Sequence, residues 1–295
     1  MIISAARFSS AATPDPIPLV IPARLSYALF KGGQTRATIG QQARTPVTDH
    51  SRTRFPQFYI TSPQPCPYLA GRYEKKVFTH LLGNEPAALN NMLSQAGFRR
   101  SQNIAYRPAC EGCQACISVR VVVDDFHPGR TFRRVLARNA DLRTEIVPPS
   151  ASAEQYDLLR RYLDTRHADG GMADMSQMDY VSMIEDTTIE TRLVEYRLPS
   201  ESGTPGKLIA TALTDILSDG LSMVYSFYDP LDTGRSLGTW MVLDHIERAR
   251  RMGLPYVYLG YWVDGSRKMS YKARFQPLEA LSGDEWKKLS PPVSL

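Results

Sequence analysis

No stretch of this chain stays apolar for anything near the ~20 residues that a membrane-spanning helix requires, so no span is expected. The glycine-rich fingerprint of dinucleotide-binding domains and the phosphate-binding P-loop are both missing. Acid is scarce at the start. Residues 1–48 hold Arg7, Arg24, Lys31, Arg36 and Arg44 against Asp15 alone, and are broken by Pro14, Pro16, Pro18 and Pro22. Such a segment has few charges to pair and little to bury, so it is expected to be a disordered or misannotated extension. Its Arg and Ser content also fits a transit peptide, whereas the apolar patch 17–23 is too short and proline-rich for a secretory core. Val47 is a candidate start, since some bacterial genes begin at a valine codon. Cysteine is limited to four residues, all between positions 66 and 116.

What is present describes a soluble protein of ordinary make-up. With 295 residues and a hydrophobic fraction of 43%, the chain can fill one large or two modest cores. The net charge of +5 and pI of about 9.0 favour an anionic partner without naming one.

Folded sequence is expected from about Phe55. Leu89, Met92, Leu93 and Ala96 recur at helical spacing within 84–97 and stop at Gly97. Residues 119–123 read as a strand on β-branched content, and 133–140 as a helix with Arg134 and Arg138 four apart. Pro148, Pro149 and Ser150 punctuate the chain. The expected division is therefore an extension (1–48), a smaller Cys-containing N-terminal domain (49–149), a C-terminal domain (150–284) and a tail (285–295).

Beyond that boundary come helices at 153–167 and 176–185, then three consecutive antiparallel strands at 189–198, 207–217 and 221–228. In 238–252, Met241, Val242, Ile246 and Ala249 make an inward stripe, and Gly253 and Pro255 end the helix. Residues 256–262 then form a buried strand parallel to the one before the helix. This α+β order is that of the N-acetyltransferase-like (acyl-CoA N-acyltransferase-type) fold, in which two splayed strands admit an acyl donor.

Several motifs narrow the chemistry. Cys66-Pro-Tyr-Leu, Phe98-Arg-Arg-Ser, the run from Tyr106 to Cys116, Tyr225-Ser-Phe-Tyr-Asp-Pro230 and Tyr271-Lys-Ala-Arg-Phe275 occur in order. Together they resemble the aminoacyl-tRNA–protein transferases, and among these the bacterial branch that transfers leucine. The resemblance spans about Phe55 to Leu278. It implies transfer of leucine from leucyl-tRNA to an N-terminal Asp or Glu of a protein, marking that protein for degradation by the N-end rule in the cytoplasm. Arginyl-tRNA is the alternative donor, because nothing in the motifs separates an apolar from a cationic aminoacyl group. The implied partners are aminoacyl-tRNA and proteins with acidic N-termini, with no membrane or DNA.

Such a transfer makes modest physical demands. The donor is an activated ester and the nucleophile an α-amine with a free pKa of ~7.7–8.0. Alignment, donors for a developing oxyanion and a path for one proton suffice, and no metal, flavin or nucleotide is needed. Asp229, with Tyr228 before it, is the candidate for holding or deprotonating the amine, although Asp-Pro is also an ordinary turn starter. Arg235, Ser236 and the amides up to Gly238 sit at a helix N-terminus, which could serve the oxyanion, meet tRNA phosphate or only cap the helix. Tyr261, Tyr271, Lys272 and Arg274 are candidate contacts for the tRNA end or a carboxylate, as are Arg99, Arg100, Arg267 and Lys268. The competing reading of each cation is a solvated surface charge.

Two rivals come from other classes. Gly234-Arg-Ser-Leu-Gly238 matches a hydrolase nucleophile elbow, but Pro230 to Thr233 separate it from the strand, and His245 is the one histidine after Ser236. A tRNA- or degron-binding module without catalysis would be expected to have a broken central strand or hook, and both are intact. Finally, Cys110, Cys113 and Cys116 form a C-x2-C-x2-C run, with Cys66 available as a fourth ligand. An iron–sulfur cluster or a closed zinc site is the candidate occupant, in a structural or regulatory role. The eukaryotic relatives are associated with iron–sulfur binding. Reduced thiols under a proline-rich loop are the competing reading.

Overall fold

A computed structural model describes residues 56–168, 170–200, 204–266 and 268–290. The expected N-terminal extension, the candidate start at Val47 and the candidate contact Arg267 lie outside the described residues.

The first half contains β1 (Tyr59–Ile60), β2 (Gln64–Pro65), β3 (Tyr73–Glu74), β4 (Lys76–His80), α1 (Pro86–Gln95), β5 (Arg99–Ser101) and β6 (Ile104–Pro108). There follow β7 (Cys116–Val122), α2 (Arg130–Arg138), β8 (Arg143–Val147), α3 (Ala153–Arg166), α4 (Gln177–Glu185) and β9 (Thr191–Arg197). The chain continues with β10 (Leu208–Leu217), β11 (Gly220–Tyr228), α5 (Leu237–Arg251) and β12 (Tyr256–Val263), a 3₁₀ turn at Ser270–Arg274, and β13 (Leu278–Ser282) and β14 (Glu285–Leu289).

Local chemistry explains the helix ends. Pro86 opens α1, where its missing N–H leaves no bond unmade, and Gly97 turns the chain at φ +82. Ser152 with Gln155, and Ser176 with Asp179, form reciprocal capping boxes on α3 and α4. On α5, Met241, Val242, Ile246 and Ala249 are all buried, and the helix stops before Gly253 at φ +68.

Eight strands form one sheet in the order β14-β13-β7-β12-β11-β10-β9-β8, and a smaller sheet has the order β1-β4-β6-β5. One core, with Phe132, Val135, Met241 and Ile246, joins α2 and α5 to one face of the large sheet. A second, with Leu159, Leu163, Tyr180 and Ile184, joins α3 and α4 to the other face. Antiparallel β9, β10 and β11, the α5 crossover and parallel β12 reproduce the expected acyltransferase-type order.

The expected boundary at Pro148 does not divide this sheet. β7 pairs with β12 on one side and β13 on the other, and β8 pairs with β9. Residues assigned to the tail form β14 against β13. The prolines break the local chain, but Val119 and Val121 are wholly buried and take strand partners on both edges from the second half.

β11 and β12 pair only from Gly220 with Tyr256 to Ser222 with Tyr258, and then part. Arg99, carried in on β5, fills the gap: its Nη2 donates to the Met223 carbonyl at 2.8 Å and the Val224 carbonyl at 3.0 Å. On the opposite side Lys272 Nζ donates to the Tyr261 carbonyl of β12. Two buried cations thus satisfy backbone acceptors that strand pairing would otherwise have used.

Candidate active site

The mouth of this split is a cavity of about 290 Å³, near the lower end of the range for small-molecule sites. β11 contributes Met223, Ser226 and Tyr228 to its wall, and the first turns of α5 contribute Leu237, Gly238, Thr239 and Val242. Arg166, at the end of α3, Tyr271, and the loop residues Asp232, Thr233 and Ser236 complete the lining.

Ser236 is held at φ +56, in the left-handed region that non-glycine residues seldom occupy. Its carbonyl accepts the Thr239 and Trp240 amides at 2.9 and 3.0 Å, while its side chain makes no capping bond. The exposed hydroxyl therefore sits on the cavity wall, beside the start of α5, where the Leu237 and Gly238 amides precede the first intrahelical bonds. Tyr228 packs against Tyr162 with ring centroids 5.0 Å apart, and its ring lies over Gly238. Burial raises the Tyr271 phenol well above its ordinary range. Ser236, Tyr228 and Tyr271 are the candidates that the fold brings together.

The other candidates fall elsewhere. Asp229 is 4% exposed and is not part of the cavity lining. Its carboxylate accepts Lys207 Nζ at 2.8 Å and the Leu231 amide at 3.1 Å. Burial alone would raise its pKa, but the Lys207 hydrogen bond, the Leu231 amide and the nearby cations outweigh burial and lower it. A carboxylate so committed is a weak proton acceptor. Asp232, three residues on, is the carboxylate at the cavity, 3.2 Å from Arg235 Nε.

The cations divide by burial rather than by sequence. Arg100 and Asp215 are both 1% exposed and share two 2.7 Å contacts, so Arg100 is an internal strut. Arg99 is occupied in the strand split, and Lys272 is 1% exposed, with burial driving its pKa well below the lysine range. Neither side chain reaches solvent to meet phosphate. Tyr261 is buried as well, its hydroxyl placed 3.0 Å from the Gly97 carbonyl and 3.1 Å from that of Tyr106. Arg235 is clamped by Asp141 through contacts of 2.6 and 2.9 Å. Arg274 and Lys268 are exposed. Lys268 stands near His167, whose pKa is lowered to about 4 by burial first and by nearby cations next.

Sequence reasoning passed over Arg166. It is exposed, lines the cavity and has no ion pair among the described residues. The basic residue closing α3 was its only signal. The rival hydrolase finds no support here, because His245 is fully buried between Thr214 Oγ1 and the Met241 carbonyl, at 2.8 and 2.6 Å.

The four thiols are free and half-buried. Burial, followed by the proximity of Cys66, Cys110 and Cys113, pushes the Cys116 thiol up to about 12. The donor set is thus of the right type and shares one neighbourhood. Among the described residues, however, no three His, Cys, Asp or Glu side chains converge closely enough to hold a metal ion.

Comparison with known proteins accounts for this arrangement. Family models described as the N and C termini of arginine-tRNA-protein transferase match residues 64–134 and 154–282. An aspartate/glutamate leucyltransferase of Parvibaculum lavamentivorans is 75% identical over 82% of this chain and 98% of its own length. The chain belongs to this family. The leucyltransferase of Xanthobacter autotrophicus is 61% identical, again over 82% of this chain, and 99% of its own length. The protein is therefore an aminoacyltransferase of the aspartate/glutamate leucyltransferase group, as the motifs implied. Solved structures with related outlines include FemX, with a TM-score of 0.40, 11% identity and 61% of each chain covered. The L-PGS of Bacillus licheniformis has a TM-score of 0.39 and 13% identity, covering 58% of this chain and 54% of that one.

Proposed function

We propose that the chain transfers leucine from leucyl-tRNA to proteins beginning with Asp or Glu in the cytoplasm, where aminoacyl-tRNA is made, and so marks them for degradation. The single observation that supports the site assignment is the cavity's make-up. Met223, Leu237 and Val242 offer an apolar surface to the leucyl side chain, while Arg166 and Asp232 supply one charge of each sign. An acceptor beginning with Asp or Glu carries an α-ammonium and a side-chain carboxylate. Asp232 takes the first and Arg166 the second. The neutral amine attacks the ester carbonyl, the first amides of α5 and the Ser236 hydroxyl donate to the developing oxyanion, and the tRNA ribose oxygen leaves with a proton.

Among the described residues Asp232 is the one carboxylate in the lining, which favours leucine over arginine as the transferred group. No step needs the cysteines. We infer that Cys66, Cys110, Cys113 and Cys116, which have the donor chemistry of a structural zinc or iron–sulfur centre and lie near one another, form one only by drawing together from their present positions, where no three converge. Iron and zinc analysis of protein purified without oxygen tests this, and four freely titrating thiols with no metal would refute it.

The decisive assay offers labelled leucyl-tRNA or arginyl-tRNA to peptides beginning with Asp, Glu, Ala or Lys. Leucine should move only to the acidic peptides, and Arg166→Gln should erase that preference. Release of free leucine would point to a hydrolase, and tRNA binding without transfer to a binding module.

A further inference from the structure

Helix α2 reads Arg130-Thr-Phe-Arg-Arg-Val-Leu-Ala-Arg138, with four arginines and no acid. Phe132 and Val135 are buried against the core, while Arg130, Arg133, Arg134 and Arg138 are exposed. Arg130, Arg134 and Arg138 recur every four residues, so they stand on one face, about 6 Å apart along the axis. None of the four has an ion pair among the described residues. Asp141, the nearest carboxylate after the helix, is taken by Arg235.

The row does not serve the helix itself. Like charges four apart repel, and a cation in the first turn opposes the helix dipole. The far end of the row is fixed to the cavity rim. Arg138 Nη1 donates to the Gly234 carbonyl, Asn139 Nδ2 donates to the Arg235 carbonyl at 2.9 Å, and Arg235 Nη1 donates to the Arg138 carbonyl at 3.1 Å. Gly234 and Arg235 lead directly into Ser236 on the cavity wall. Arg274, exposed with its guanidinium carbon 5.6 Å from the Phe132 ring, adds a fifth cation beside the helix.

We propose that this face of α2, with Arg274 at its flank, is the track on which the acceptor stem of the donor tRNA lies, its phosphates on Arg130, Arg134 and Arg138 and its aminoacylated end in the cavity. The inference rests on aminoacyl-tRNA being the donor. It moves the tRNA contacts from buried Lys272, Arg99 and Tyr261 to the α2 face, which the motifs did not include, and keeps Arg274 from the motifs as its flank. Charge complementarity and continuity with the cavity choose the occupant: unpaired arginines at one-turn spacing suit a polyanion backbone.

The test uses the full chain with Arg130→Glu/Arg134→Glu, and with Arg130→Gln/Arg134→Gln in case charge reversal disturbs folding. Binding of deacylated leucine tRNA is followed against salt, and transfer is followed in the same proteins. Both variants should lower the slope of log K against log salt by about one to two units and raise the KM for leucyl-tRNA about tenfold or more, with kcat and the KM for an Asp-initiated peptide unchanged. Arg130→Lys/Arg134→Lys should keep most of the slope. An unchanged slope and donor KM in the glutamine variant would overturn the proposal, as would a rise in peptide KM alone, which would make the row an acceptor-docking surface. Because deacylated tRNA binding needs no transfer, a wild-type protein that binds tRNA but moves no leucine would sink the proposed reaction and leave the track standing.

Discussion

Arg99 lies so close over Gly260 that a β-carbon built there would stand 1.5 Å from Nη1. The guanidinium from the small sheet reaches the parting of β11 and β12 only because β12 has no side chain at that point. Gly260 also sits at φ +77, where other residues are strained, and at a register shift against β7. Gly260→Ala should therefore cost at least about 2 kcal/mol, from strain and from the displaced arginine together. Chemical denaturation measures the loss. A variant as stable as wild type would mean that Arg99 has another resting place.

Lys272→Ala should leave the salt dependence of tRNA binding unchanged, because the ammonium is enclosed. It should lower stability by about 2–3 kcal/mol by opening a cavity and stranding the Tyr261 carbonyl. A flattened salt slope in this variant would return Lys272 to the tRNA interface.

Asp229 and Asp232 are expected to separate cleanly. Asp232→Asn should lower kcat/KM for acidic peptides about tenfold to a hundredfold while changing stability little. Asp229→Asn should cost about 1–3 kcal/mol of stability, since its bonds from Lys207 and Leu231 go to a charged acceptor. The pH sign follows from its lowered pKa. The stabilisation is present above the ordinary carboxylate value of ~3.9 and disappears as pH falls through the lower folded value. Denaturation midpoints of wild type and Asp229→Asn should converge in strong acid.

His167 gives the opposite kind of group at the same end of the molecule. Its pKa falls to about 4 in the fold, so between there and its unfolded value of ~6.5 the unfolded chain binds the extra proton. Stability should decline as pH is lowered across that window, and His167→Gln should flatten the decline. Melting temperatures from pH 7 to pH 4 provide the check.

Much of the scaffold was legible in the sequence, because period and caps are local signals. The α5 stripe, its end at Gly253 and Pro255, and the strand runs at 189–198, 207–217 and 221–228 place helices and strands up to Val263 with little help from distant residues. The site was less legible, because burial is not local. In the 3₁₀ turn, Lys272 goes into the interior and Arg274 goes out, although the two are two residues apart in one basic run. Asp229 and Asp232 look equally suited to an amine until Lys207, from a different strand end, claims the first. The arginines of α2 were visible as a helical pair, but it is the contacts of Arg138 and Asn139 with Gly234 and Arg235 that tie them to the cavity.

The position of β7 bears on how the protein comes into being. A strand made early in synthesis takes both its neighbours, β12 and β13, from the last part of the chain. While the ribosome is still reading the intervening residues, Val119 and Val121 have nowhere to hide and both edges of the strand are open. The large sheet therefore cannot close until β13 has been translated. The two segments matched by separate family models are also not interchangeable cassettes: a graft of one onto a distant relative would have to bring a β7 that fits a foreign β12 and β13.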